Sequence, residues 1–396
     1  MLYDSLRLTF FSASLREPKT MTETLYLRPI ALAISPQCEE GEAVRLAGGL
    51  IYASRFALIT RANGKVTRNI RLSVPNIPAA FDNLPAELQT EAQTQWADLR
   101  ASHAPLQCGQ RIIRLDQPSI MGILNVTPDS FSDGGKFLDN PEEASNHAAM
   151  MLESGAAIID IGGESTRPGA AAVWEGDELK RVEPVVQRLA AMGAAISIDT
   201  RRVSVMEAAL SAGAHIINDV SGLQYDPRSL EFAKNSSAPV ILMHSPAQGS
   251  GEGADIHADG KYQNVVLDVF DWLRARRDAV IAAGIPRDTI ILDVGIGFGK
   301  SVAENLALLN ALPLFHALGQ SLLVGASRKR MIGALSNESP THKRLGGSLA
   351  LAVRAMESGV QIIRVHDVPE TVQAMHIWRG LRDAALTDFS MLAPES

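Results

Sequence analysis

Three acceptor-bearing side chains close short apolar runs: Asp199 after "ISI", Asn218 after "II" and Asp293 after "IIL". A carboxylate at the end of a buried strand needs a partner, and no chain neighbour of these residues supplies one. A ligand edge rich in N–H donors does. An aminopyrimidinone ring has such an edge, because a carboxylate accepts from a ring N–H and its amino group while an amide donates and accepts beside it. For Asp199, helix capping is the alternative, since "TRRVSVMEAAL" follows it.

A second group suits an anion. In "RVH" (364–366), residues two apart on a strand point the same way, so Arg364 and His366 share a face. A guanidinium fork beside an imidazole fits a phosphate or diphosphate; a salt-bridged strand end is the plainer reading. Asn125 ends "MGIL", and its amide oxygen suits a Mg²⁺ that arrives with a diphosphate and keeps most of its waters; a turn residue is the alternative. "SRK" (327–329) places Lys329 within reach of a ring carbonyl, with Arg328 a partner for the helices beneath. "GIGFGKS" looks like a phosphate loop, but the first glycine that motif needs falls on Val294. Its glycines instead let Phe298 and the backbone approach a flat ligand.

These residues need a frame that brings strand ends together. From about Pro118 the chain alternates short runs rich in Ile, Val and Leu with longer segments of helical period. The pattern predicts strands at 119–124, 156–161, 195–199, 214–218, 239–243, 289–293, 321–325 and 360–365. Helices are predicted at 141–154, 175–192, 202–212, 227–235, 261–283, 303–311, 341–358 and 368–382. Eight β–α units over this length predict an α/β chain with a (β/α)8 TIM barrel, whose active face is built from the segments following each strand. A doubly wound open sheet is the alternative, and no G-x-G-x-x-G opening supports it.

The remainder of the chain reads differently. Residues 21–117 predict a small α+β accessory domain: two alternating runs flank Asn63-Gly64, a type I′ hairpin signal, and 85–103 has helical period. It carries no cluster of catalytic residue types, so it is expected to pack outside the 118–396 barrel, against the barrel's N-terminal face or a dimer partner. Residues 1–20 read as a leader or an over-long start, with Met21 the first residue. Net charge is −7, which gives no sign of a nucleic-acid partner, and no apolar run approaches the roughly 20 residues that span a bilayer. Cys38 and Cys108 lie far apart in the sequence and form no metal-ligand spacing; the expectation is a cytoplasmic, disulfide-free chain with small-molecule substrates.

Seven segments in order resemble the dihydropteroate synthase family: "MGILNVTPDSFSDGG", "GGESTRPGA", "SIDT", "IINDVSG", "GIGFGK", "GASRKRMIG" and "IIRVHDV". The match covers about residues 118 to 382. The resemblance implies an enzyme of folate biosynthesis, a sulfonamide target, that joins 6-hydroxymethyl-7,8-dihydropterin diphosphate to 4-aminobenzoate and releases diphosphate. It implies that Asp199, Asn218, Asp293 and Lys329 hold the pterin, and that Asn125, Arg364 and His366 hold the diphosphate with Mg²⁺ near Asn125. Lys329, Arg364 and His366 are the implied catalytic residues. Thr166, Arg167, Pro168, Phe298 and Ser327 frame the aminobenzoate, Phe131 and Asp133 belong to a lid, and a homodimer forms through barrel helices.

This chain departs from the family pattern in three places. Val294 stands where most members have Pro, residues 243–260 lack the usual "MHMRG"-like continuation, and the first 117 residues have no counterpart in the minimal barrel. Two rival readings are a methyltetrahydrofolate-type methyltransferase and a catalytically idle pterin-binding paralogue. The first has no use for "SRK" together with "RVH". Intact Asn125, Lys329, Arg364 and His366 argue against the second.

Overall fold

Asn63 and Gly64 turn the chain with φ of +50° and +77°, the left-handed pair that a two-residue hairpin requires. The computed structural model describes residues 23–33, 41–127, 140–164, 173–246 and 262–384. Around the turn, β3 (Tyr52–Ala62) pairs antiparallel with β4 (Lys65–Ser73), while β1 (Thr24–Ala33) takes the other edge of β3 and β2 (Val44–Arg45) pairs with its start. Two helices follow, α1 (Ile77–Asp82) and α2 (Ala86–Arg100). Gln95 of α2 is buried because its amide serves as a backbone surrogate: Oε1 accepts from Leu27 N–H at 2.8 Å and Nε2 donates to Leu25 O at 2.7 Å.

A short hairpin, β5 (Leu106–Cys108) and β6 (Arg111–Ile113), leads into a closed barrel of eight parallel strands. These are β7 (Ser119–Asn125), β8 (Ile158–Gly162), β9 (Ile196–Asp199), β10 (Ile216–Asp219), β11 (Val240–Met243), β12 (Ile290–Asp293), β13 (Ser321–Val324) and β14 (Ile362–Val365). The helices between and after them are α3 (Pro141–Glu153), α4 (Glu175–Ala191), α5 (Val203–Ser211), α6 (Ser229–Ser236), α7 (Val265–Ala282), α8 (Val302–Phe315), α9 (Arg330–Leu335), α10 (Leu345–Glu357) and α11 (Val368–Ala384). The barrel, not the open sheet, is the architecture. Only α9 falls outside the predicted elements of this region, since six residues are too few to show a period.

The barrel floor is apolar and plugged. Leu106, Cys108, Ile113 and Leu115 from the β5–β6 segment pack on Met121, Ile158, Ala195, Ile216, Ile241, Ile291, Leu323 and Ile362, which lie early in the eight strands or just before them. The small sheet and α2 sit elsewhere. They lie on the barrel's flank against α7 and α8, where Tyr26 meets Phe270 edge-on at 5.4 Å and Phe270 contacts Phe315 at 6.0 Å. Polar ties rim that contact: Tyr26 Oη donates to Asp271 at 2.6 Å, Arg61 pairs with Asp268 at 2.6 Å, and Arg287 pairs with Asp98 at 2.7 Å. The expected seat on the N-terminal face holds for the β5–β6 segment of residues 21–117 and is corrected for the sheet and α2. That face is already closed by the β5–β6 hairpin, while the outward side of α8 is apolar and has to be covered. Burying each large side chain there contributes roughly 1.5–3 kcal/mol.

Candidate active site

Strand register sets the rim. Asn125 pairs with Gly162, Gly162 with Asp199, and Asp199 with Asn218, so four adjacent strands end at one level. Asp293 ends β12 opposite Met243. Asp199, Asn218 and Asp293 are all buried there, and the helix-capping alternative for Asp199 fails: the first N–H of α5 goes to Asp226 Oδ2 at 3.2 Å instead.

Arg364 of β14 crosses to these residues. Its Nε lies 2.6 Å from Asp160 Oδ2 and its Nη2 lies 2.8 Å from Asp199 Oδ2. Asp160, fully buried on β8, also accepts from Asn218 Nδ2 at 3.2 and 3.3 Å. No chain neighbour compensates the rim carboxylates, as expected; Arg364 does so for Asp199, and for Asp160 beside it, from the eighth barrel strand. One acceptor stays open, because Asp199 Oδ1 is buried without a hydrogen-bond partner. Burial pushes the Asp199 carboxyl up to about 7; Arg364 opposes the rise, and Asp160, Glu178 and Asp219 add to it. Burial raises Asp293 as well, while the bond from Gly295 N–H to Oδ1 (2.8 Å) and the charge of Lys329 hold it down.

The other predicted residues fall as follows. Lys329 Nζ stands 4.2 Å from the centre of the Phe298 ring, within cation–π range. Ser327 Oγ is 3.0 Å from His366 Nδ1 and accepts from His366 N–H at 3.2 Å, so this serine orients the imidazole. Arg328 pairs with Asp367 and is structural. Ser301 caps α8 in a capping box with Glu304, which explains "GKS" without a phosphate. His244 packs against Trp272 at 5.0 Å. Phe131, Asp133, Thr166, Arg167 and Pro168 lie outside the described residues, as does most of the 243–260 segment.

Two buried carboxylates beside the rim have no place in the sequence analysis. Asp160 is the one charge inside "IIDIG", two residues ahead of the "GGESTRPGA" segment, and a lone acid in an apolar strand is the signal that finds it. Glu164 accepts from Val173 N–H at 3.2 Å, which ties the residue before 165–172 to the residue after it. Arg202 fastens this tie, pairing with Glu164 at 2.9 Å and also with buried Glu178.

The donor set bears on magnesium. Asn125 offers one neutral amide oxygen at the rim, and no group of three His, Cys, Asp or Glu among the described residues could hold a metal. Such a set fits an ion that arrives on a diphosphate and retains its waters.

Fold and site together define the (β/α)8 barrel class, with a mouth whose buried carboxylates and amide suit a flat, donor-rich heterocycle. Comparison with known proteins agrees. The family model for pterin-binding enzymes matches residues 121–366. Dihydropteroate synthase of Neisseria meningitidis serogroup B is 46% identical over 279 residues, covering 69% of this chain and 96% of the relative. The Escherichia coli K12 enzyme of the same name is 47% identical over 264 residues, covering 66% and 91%. Among solved structures, Xanthomonas albilineans dihydropteroate synthase with 4-aminobenzoic acid superposes with a TM-score of 0.65 at 43% identity, over 71% of this chain and 98% of that one. The Yersinia pestis enzyme with a sulfonamide drug gives 0.66 at 45%, over 70% and 99%. The chain belongs to the dihydropteroate synthase family of pterin-binding enzymes.

Proposed function

We propose that this chain condenses 6-hydroxymethyl-7,8-dihydropterin diphosphate with 4-aminobenzoate, using the rim residues in the following roles. Asp160, Asp199, Asn218 and Asp293 receive the N–H edge of the pterin; the open, buried Oδ1 of Asp199 is the observation that carries this reading. Lys329 meets the ring carbonyl. Asn125, Arg364 and His366 face the diphosphate, and Phe298 with Ser327 borders the aminobenzoate, joined by Thr166, Arg167 and Pro168. Phe131 and Asp133 belong to the covering loop.

In the reaction the C–O bond between the pterin methylene and the diphosphate breaks, and the amine nitrogen of aminobenzoate bonds to that carbon and loses a proton. A neutral aryl amine needs no strong base. Positive charge grows on the methylene and the ring, where the carboxylates Asp160, Asp199 and Asp293 favour it. Negative charge grows on the diphosphate, where Arg364 and His366 stabilise it. When bound, Mg²⁺ neutralises part of that leaving-group charge. Holding both substrates in one cleft contributes up to about 7–11 kcal/mol.

Sulfonamides, which resemble aminobenzoate, enter the same subsite in this reading. A homodimer forms through barrel helices, supported by exposed Ile377 and Leu381 one turn apart on α11, and the protein works in the cytoplasm. No helix among the described residues is long and apolar enough to cross a membrane. The deciding experiment mixes purified protein with both substrates and Mg²⁺. Equal amounts of diphosphate and dihydropteroate are expected. Pterin binding without diphosphate release would overturn the proposal in favour of one of the two rival readings.

A further inference from the structure

Lys300 is absent from every role above, yet its ammonium is held among the backbone carbonyls of the loops after β11 and β12. Nζ donates to Gly295 O at 2.8 Å, Phe298 O at 3.1 Å and His244 O at 3.3 Å. Three donors meet three carbonyls, which uses the full capacity of a protonated lysine. Two of those carbonyls belong to the segment after β12 and the third to the residue after β11, so one cation ties two neighbouring loops. The backbone is shaped for this. Gly295 has φ +69°, and a Cβ there would lie 1.9 Å from His244 O and 3.2 Å from Lys300 Nζ. Asn305 holds the segment from the other side, its Oδ1 accepting from Gly297 N–H at 2.7 Å and its Nδ2 donating to Lys300 O at 3.0 Å.

We propose that Lys300 is a positioning residue for the aminobenzoate subsite: it gathers the carbonyls of 244 and 295–298 and thereby aims the Phe298 ring beneath Lys329. The inference rests on the assignment of Phe298 to that subsite. A lysine here is not a generic surface charge. Burial pulls its ammonium down to about 7, with Lys329 adding to the fall and Asp293 and Glu304 opposing it, and the three carbonyls keep a proton worth holding. Without the cation, three carbonyl dipoles converge on nothing, and the glycine-rich segment is free to open. Phe298 would then leave the Lys329 ammonium, now 4.2 Å from its ring centre.

The test is steady-state kinetics on the full chain carrying Lys300→Met, Lys300→Arg, Phe298→Ala or Lys300→Met with Phe298→Ala. Lys300→Met is expected to raise KM for 4-aminobenzoate at least tenfold, with kcat and calorimetric pterin affinity within threefold of the parent. Lys300→Arg, which keeps charge and donors, should recover most of that loss. In the double variant the lysine change should add less than twofold to Phe298→Ala, because its effect runs through that ring. An unchanged KM, or a full additional loss on top of Phe298→Ala, overturns the proposal; if Lys300→Met fails to fold, Lys300→Gln is read by the same criteria. Diphosphate release by the unsubstituted chain judges the functional reading separately. Independently of activity, a crystal structure of the Met or Gln variant with residues 295–299 unmoved overturns the positioning role.

Discussion

Arg364 Nε lies 2.6 Å from Asp160 Oδ2, a pair joined across 204 residues of chain, and the same guanidinium reaches Asp199 at 2.8 Å. A buried ion group of this kind is stable only while complete, since removing one member strands the others at about 3–5 kcal/mol. Arg364 thus neutralises the rim carboxylates, and in the proposed reaction it has a second, separable task of facing the leaving group.

Arg364→Ala should therefore lower the melting temperature and, measured well below it, lower turnover far more than affinity for a pterin lacking the diphosphate. The transition-state loss should be about 2–4 kcal/mol, because the charge it meets grows during cleavage. Turnover equal to the parent's would remove Arg364 from the leaving-group role.

Asp293→Asn should show the opposite balance. An amide cannot accept two ring donors, and the pterin donor left unmatched costs about 1–3 kcal/mol. Isothermal calorimetry with the pterin substrate reads this directly, and parental affinity would take Asp293 out of the site.

Pterin binding should depend on pH through Asp199. Its carboxyl is pushed up to about 7 by burial, and only the ionised form accepts from two ring donors. Affinity is therefore expected to climb between pH 6 and 8, and to lose that climb in Asp199→Asn. Titrations at four pH values suffice, and a flat parental profile contradicts the assignment.

Stability should depend on acid through two imidazoles. Burial depresses His103 and His316 to about 4 each, with His316 and Arg287 also acting on His103. Below about pH 6.5 the unfolded chain binds protons that the folded chain refuses until about 4. Stability should thus fall between those limits by on the order of 3 kcal/mol per imidazole. Urea unfolding at pH 7.5 and 5 measures the loss, and His103→Gln should remove part of the difference.

Shortening the chain should distinguish the flank from the floor. We expect a protein starting at Ala104 to keep the β5–β6 plug and to condense both substrates, with lower stability from exposing Phe270 and Phe315. One starting at Gln110 loses Leu106 and Cys108 from the barrel floor, and losing a buried leucine alone costs about 2–5 kcal/mol. Circular dichroism and turnover on both proteins decide. A folded but inactive Ala104 form would mean that the accessory domain contributes to the catalytic face.

Local chemistry made much of the frame legible in the sequence. Strand and helix periods, the Asn63-Gly64 turn and the polar residues after each apolar run depend on neighbours a few positions away, so the eight barrel strands were placed within about two residues of their observed ends. The motifs that mark the family are equally local. Asp199, Asn218 and Asp293 could be singled out because each stands at or next to the end of its own strand.

What needed the tertiary structure was every pairing made by closure. Nothing near Asp160 or Asp199 in the chain announces Arg364, because β14 meets β7 only when the barrel shuts, and only then does the Arg364 side chain reach β8 and β9. The sequence alone set the phosphate motif aside at Val294, but that Lys300 reaches His244 O at the preceding strand's end shows only in the fold. The seat of the accessory domain was also undecidable locally, although one signal was present. Helix α8 buries Leu308, Leu309, Leu312 and Leu314, and an outer barrel helix without a polar face has to be covered by something. Which segment covers it depends on shape and burial summed over the whole surface, and no window of sequence contains that sum.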